Sequence, residues 1–130
     1  MKAHARNTHG LWGQTAVTAP ATAPLIHDFE TEIAIIGAGF TGLRAALELR
    51  AQDQDVAILD AGEIGHGCSG RNGGQVNPGW KMDLHEIAEH YGREHAHSAL
   101  ELAKTAVPAL STLINSEGLK CEFIENGYVQ

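Results

Sequence analysis

Acidic residues are missing from the first 27 positions of this chain, large aromatic side chains are scarce throughout, and no run of eighteen apolar residues occurs anywhere. The last absence excludes a membrane-spanning helix. With 5% aromatics and an apolar fraction of 43%, much of it alanine, large core side chains are few for 130 residues. Basic residues are too few to balance the acids. The formal charge of −7 argues against non-specific nucleic-acid binding. Only two cysteines are present, Cys68 and Cys121, and they form no CxxC pair. That usage fits a reduced, intracellular setting, and a cytoplasmic location is expected. Cys68 is read as a small loop residue that fits for packing reasons.

The acid-free segment 1–27 is rich in Ala, Thr and Pro, with Lys2 and Arg6 as its only formally basic residues. It lacks the continuous apolar stretch of a secretory signal, and two basic residues make a weak transit peptide. It is read as an extended N-terminal arm on the surface, with Trp12 as a candidate anchor.

What is abundant is glycine, and it is concentrated. Seven of fifteen glycines fall in residues 62–79, GEIGHGCSGRNGGQVNPG. Such a stretch is costly to order, and its purpose depends on what precedes it. Ile33–Ile36 is a short, β-branched apolar run and reads as a buried strand. The hexapeptide Gly37-Ala38-Gly39-Phe40-Thr41-Gly42 follows. A helix is then expected from Gly42 to Gln52, with Gly42, Ala45, Ala46 and Leu49 on one face, ended by Asp53 and Asp55. A second apolar run, Val56–Leu59, ends at Asp60. The order strand, glycine turn, helix, strand is one βαβ unit, and its crossover should be right-handed.

Each part of that unit suits a dinucleotide. Gly37 permits the tight turn, Gly39 leaves room for a pyrophosphate, and Gly42 lets the helix lie close to the strands. The N–H groups of Gly39, Phe40 and Thr41 stand at the helix start, where backbone donors lack intrahelical partners and the dipole favours an anion. Asp60 follows Gly42 at a spacing that suits a ribose-binding acid, and it argues against a 2′-phosphate and so against NADP. NAD and FAD use the same grip. The glycine-rich loop directly after Asp60 and Ala61 stands where an NAD domain would proceed to another helix and strand. It suits a bulkier, flat ligand approached by backbone without side-chain obstruction.

The stretches IIGAGFTGLRAALEL, AILDAGEIGHGCSGRNGGQ and EFIENGYVQ together resemble the FAD-dependent D-amino-acid oxidase (DAO) family, in particular the branch that includes gamma-glutamylputrescine oxidase. The resemblance covers roughly residues 25–130. Ser69, Gly70, Arg71, Asn72, Gly73 and Gly74 match the branch signature position by position. Asp60 departs from it, since the family more often has glutamate there; His66 and Cys68 stand at variable positions. The resemblance implies FAD as cofactor, Ser69 at its phosphate or ribitol region, and Arg71, Asn72, Gly73 and Gly74 approaching the flavin ring. Arg71 would stabilise negative charge on reduced flavin, or else pair with a carboxylate.

The remaining segment, 80–130, reads as helices leading into a strand. Asp83-Leu84-His85-Glu86 is a capping box. Leu84, Ile87, Ala88 and Tyr91 make an apolar face, and Gly92 stops the helix. A longer helix is expected from about Arg93 to Ser116, with Leu100, Ala103, Val107, Leu110 and Ile114 as its core stripe, a kink at Pro108 and an end at Gly118. Cys121 to Gln130 reads as a strand, with Asn126-Gly127 as a turn or bulge. His85, His90, His95 and His97 do not share the helix spacing of a zinc site, and no metal is expected.

The fold expected is α/β: a Rossmann-like βαβ FAD-binding unit over residues 28–79, then a helical segment over 80–130 that enters the first strand of a substrate domain. Two neighbouring strands are too few for a whole dinucleotide domain, so the chain is read as the amino-terminal part of a longer oxidoreductase. The resemblance implies oxidation of an amine or amino acid, with hydride passing from the substrate carbon to flavin and the resulting imine hydrolysed. Dioxygen or another acceptor would reoxidise the cofactor. No residue here is assigned as catalytic. The alternatives are an NAD-dependent dehydrogenase fragment, which requires a third parallel strand soon after Asp60, and a non-catalytic nucleotide-binding remnant.

Overall fold

The computed structural model describes residues 10–127. Lys2, Arg6, the side chain of Trp12 and the last three residues of the expected terminal strand, through Gln130, lie outside the described residues. The chain forms two compact units, Met1–Gly73 and Gly74–Gln130. The change of unit falls inside the glycine-rich stretch.

The first unit holds α1 (Gly10–Thr15), β1 (Ile33–Ile36), α2 (Phe40–Arg50) and β2 (Val56–Leu59). Part of the arm expected to be extended is therefore helical, while residues 16–26 carry no regular structure. The two strands pair in parallel, Ile33 opposite Val56 through Ile36 opposite Leu59, and α2 is the crossover between them. Glu32 and Thr31 extend the grip at the base of the sheet: the Asp55 N–H donates to Glu32 Oε2 at 3.1 Å, and Thr31 Oγ1 donates to the Asp55 carbonyl at 3.2 Å.

Helix α2 begins at Phe40 and ends at Arg50, so the expected span Gly42 to Gln52 is corrected at both ends. Arg50 in the last turn suits the helix dipole, and its Nη1 donates to the Gln54 carbonyl at 2.9 Å. Asp53 then turns the chain with φ +59°, a left-handed conformation that Asp tolerates better than most residues. An ion pair between Arg44 and Glu48 lies along the exposed side of α2. The buried face also differs from expectation. Ala46 is buried and Gly42, Leu43 and Leu49 are half-buried, whereas Ala45 is exposed.

The expectation of buried strands is corrected too. In β1, Ile33 and Ile35 are half-covered while Ala34 and Ile36 are exposed, Ile36 at 80%. Helix α2 packs against the sheet, and all four residues of β2 are half-buried, but among the described residues the side of β1 that carries Ala34 and Ile36 is left open. Ala38 and Ala46 are the only buried apolar residues among those described.

The second unit is an α-helical pair. In α3 (Leu84–Tyr91) both halves of the expected capping box form, with the Glu86 N–H donating to Asp83 Oδ1 at 2.8 Å and the Asp83 N–H to Glu86 Oε2 at 3.1 Å. Ile87 and Ala88 are half-buried, but Leu84 and Tyr91 are exposed and leave the expected apolar face. Gly92, at φ +92°, separates α3 from α4 (Arg93–Ser116). The expected stripe on α4 is half-buried at all five positions, from Leu100 to Ile114. Pro108 lies within this helix. Gly118, at φ +61°, closes it, with the Leu119 N–H returning to the Ile114 carbonyl at 2.9 Å. The indole N–H of Trp80 donates to the Ala99 carbonyl at 2.9 Å.

The expected strand from Cys121 to Gln130 does not form over its described part, 121–127. A strand needs a neighbour for its backbone groups, and both strands among the described residues lie in the other unit. Among the described residues, no helix is long and apolar enough to cross a membrane.

Candidate functional site

The carboxyl ends of β1 and β2 carry the candidate residues. β1 runs into the turn Gly37–Gly39, and the chain then winds directly into α2. Gly37 has φ +107°, a region that L side chains rarely adopt. Its N–H donates to the Leu59 carbonyl at 2.7 Å, so the turn begins while still tied to β2. A Cβ on Gly42 would lie 1.9 Å from the Gly37 carbonyl oxygen and 3.2 Å from Ile35 Cγ2. The absence of a side chain is what lets the helix start lie on the turn.

Asp60 draws the two strand ends together. Its Oδ2 accepts from the Ala38 N–H at 2.7 Å and its Oδ1 from the Gly62 N–H at 2.8 Å. Ala61 lies between the two anchored points and is exposed. The carboxyl is held below its ordinary value of 3.8, first by the bond from Ala38, then by that from Gly62, with a smaller contribution from the charge of His66. Each oxygen keeps acceptor capacity beyond its one backbone bond. Asp60 thus organises the turn as well as presenting a carboxylate, a role that spacing did not reveal.

Lowered in the folded state, this carboxyl contributes stability above its ordinary titration range and loses it as pH falls through the depressed value. Thermal midpoints of wild type and Asp60→Asn, followed from neutral pH to well below 3.8, are expected to show a gap favouring wild type that closes only at the acid end. A gap independent of pH would show that ionised Asp60 does not hold the turn.

Beyond Asp60 the loop passes through a single 3-10 turn, Cys68–Gly70. Ser69 Oγ accepts from the Phe40 N–H at 2.9 Å. This corrects the expectation that Gly39, Phe40 and Thr41 all present unsatisfied donors. The Phe40 amide is taken, and of those three only the amides of Gly39 and Thr41 form no hydrogen bond to a described residue. Arg71 forms no ion pair among the described residues, and its Nε donates to the Gly67 carbonyl at 3.3 Å. Asn72 Nδ2 reaches the carbonyls of Ser69 at 2.8 Å and Cys68 at 3.3 Å. Gly73 is exposed at the end of this unit, and Gly74, at φ +72°, begins the second. Cys68 and Cys121 are both free and exposed. Of the four histidines, His85 meets Glu89 at 3.2 Å along α3, and the described residues hold no cluster that could bind a metal ion.

The structure therefore gathers Gly37 to Gly42, Asp60 and Ser69 at the carboxyl end of the sheet. It offers two free amides at a helix start, a serine hydroxyl and an ionised carboxylate beside them. This donor and acceptor set fits a dinucleotide's pyrophosphate and ribose.

The family model for FAD dependent oxidoreductases (DAO) matches residues 32–130. The chain belongs to the DAO family of FAD-dependent oxidoreductases. The cofactor of this family is FAD. A protein of Haemophilus influenzae named "Probable oxidoreductase OrdL" is 31% identical over 105 residues, covering 81% of this chain and 24% of that protein. Its namesake in Rhizobium meliloti is 37% identical over 95 residues, 73% of this chain and 22% of that protein. Gamma-glutamylputrescine oxidoreductase of Escherichia coli is 42% identical over 65 residues, 50% of this chain and 15% of the relative. The chain thus spans about a quarter or less of the length of these curated DAO-family relatives. No solved structure matches it.

Proposed function

We propose that this DAO-family chain is the FAD-gripping amino-terminal part of an oxidoreductase that oxidises the C–N bond of an amine or amino acid. The observation that carries the reading is the bond from the Ala38 N–H to Asp60. It sets a glycine turn, a helix start and a ribose-competent carboxylate at the carboxyl ends of a parallel pair, in the manner of a Rossmann-like βαβ unit. When bound, FAD supplies the hydride acceptor for the reaction.

The chain's own residues do the holding. The amides of Gly39 and Thr41 and the start of α2 receive the pyrophosphate. Asp60 accepts the ribose hydroxyls through the lone pairs its backbone bonds leave open. Arg71, unpaired with any carboxylate among the described residues, stands with Asn72, Gly73 and Gly74 on the flavin side and offers a positive charge. An amine substrate is supported by the likeness to gamma-glutamylputrescine oxidoreductase, and a gamma-glutamylated polyamine is the first substrate to try. Dioxygen or another electron acceptor completes the cycle, and the compartment proposed is the cytoplasm. An NAD-dependent dehydrogenase would place a third parallel strand soon after Asp60, where the described chain has the glycine loop.

Purified full-length protein should be yellow, with the absorption bands of oxidised flavin, and adding the true amine substrate without an acceptor should bleach them. A colourless protein that binds NAD and not FAD would overturn the proposal.

A further inference from the structure

Gly39 precedes α2 as its N-cap residue and brings no side chain to cap it. Residues at this position usually carry a Ser, Thr, Asp or Asn oxygen that accepts from an early helix N–H. Here the oxygen arrives from elsewhere. Ser69, on the flavin-side loop, places its Oγ 2.9 Å from the Phe40 N–H, the first helical residue.

The space for that hydroxyl is created by Gly39. A Cβ on Gly39 would lie 2.8 Å from Ser69 Oγ but 3.7 Å from Ser69 Cβ. At the first distance the Ser69 hydroxyl has to rotate out of its place; the second is ordinary contact. The Gly39 backbone, at φ −86° and ψ −175°, is extended and open to any residue. No conformational reason therefore demands glycine here; the demand is for room, and within the chain that room is filled by one oxygen atom.

We infer that Ser69 is a positioning residue that caps α2 from the flavin-side loop, through the gap left by Gly39, and so fastens the two cofactor-binding loops to each other before FAD arrives. A hydroxyl that accepts from Phe40 still has its own proton to donate. Ser69 therefore keeps the Phe40 amide satisfied in the apoprotein and adds a donor beside the free amides of Gly39 and Thr41. The cap stands on geometry alone, while its effect on FAD rests on the function proposed above.

The test is a double-mutant cycle in the full-length protein: wild type, Gly39→Ala, Ser69→Ala and the double variant. Thermal midpoint of the apoprotein and Kd for FAD are read for each. In the wild-type background, Ser69→Ala lowers the midpoint and weakens FAD several-fold. In the Gly39→Ala background the same change costs little in either quantity, because the new methyl group has already turned the Ser69 hydroxyl away from the Phe40 N–H. That loss of the Ser69 effect is the result expected. Losses that simply add, in the midpoint or in the affinity, would overturn the inference. If wild type binds no FAD, the functional proposal falls, and the midpoint cycle still decides for or against the cap.

Discussion

Gly42→Ala is expected to be the most damaging single methyl group in the chain. Its Cβ would fall 1.9 Å from the Gly37 carbonyl oxygen, well inside any real contact. The obstacle is backbone, so no side chain can rotate away. Relief requires α2 to move off the turn, which would disturb the bonds from Gly37 to Leu59 and from Ala38 to Asp60 that define it. Ile35 Cγ2, at 3.2 Å, blocks retreat toward the sheet. Overpacking of this kind costs roughly 3 kcal/mol, about two factors of ten in the folding equilibrium at about 1.4 kcal/mol each. Chemical denaturation of the full-length protein should show a markedly lower midpoint with an unchanged slope, together with loss of bound flavin. A variant as stable as wild type would mean that the helix start and the turn are not packed as described.

The second large effect concerns these 130 residues expressed alone. They are expected to associate and to hold FAD weakly. One face of the β1–β2 pair is covered by α2, and the exposure of Ile36 at 80% and of Phe40 at 68% marks apolar surface without cover. Both outer strand edges are also free among the described residues, and such edges template association. Ligand binding offers limited compensation, since a hundredfold excess over Kd adds only about 2.7 kcal/mol. Burial of large apolar side chains contributes roughly 1.5–3 kcal/mol each, so covering two or three of them outweighs the ligand. Sedimentation and flavin content of the 130-residue product, compared with the full-length protein, check this. A monomeric product carrying stoichiometric FAD would contradict it.

Local signals in the sequence anticipated local structure well. The apolar runs Ile33–Ile36 and Val56–Leu59 became the two strands at those bounds. The Asp83–Glu86 capping box and the stops at Gly92 and Gly118 formed as their chemistry dictates. Longer-range facts were not legible. The bonds that shape the candidate site join residues 22 and 29 positions apart, Ala38 to Asp60 and Phe40 to Ser69. Nothing in a spacing pattern says that a serine beyond β2 will take an amide that the helix start itself leaves without an intrahelical partner. Ala45, expected on the covered face of α2, is exposed, and Leu43, outside the expected stripe, is half-buried; periodicity defines a stripe but not how the helix is rotated against the sheet. The terminal segment from Cys121 has a strand-like pattern, but strand formation depends on a partner that its own unit does not provide.

The proposal that Asp60 holds the FAD ribose beside the glycine turn is tested most directly by titrating FAD into the full-length apoprotein, wild type beside Asp60→Ala. Removal of the carboxylate takes away hydrogen bonds to a charged acceptor, and the affinity is expected to fall about tenfold or more, with NAD binding negligible in both proteins. Equal FAD affinity in the two would contradict the account.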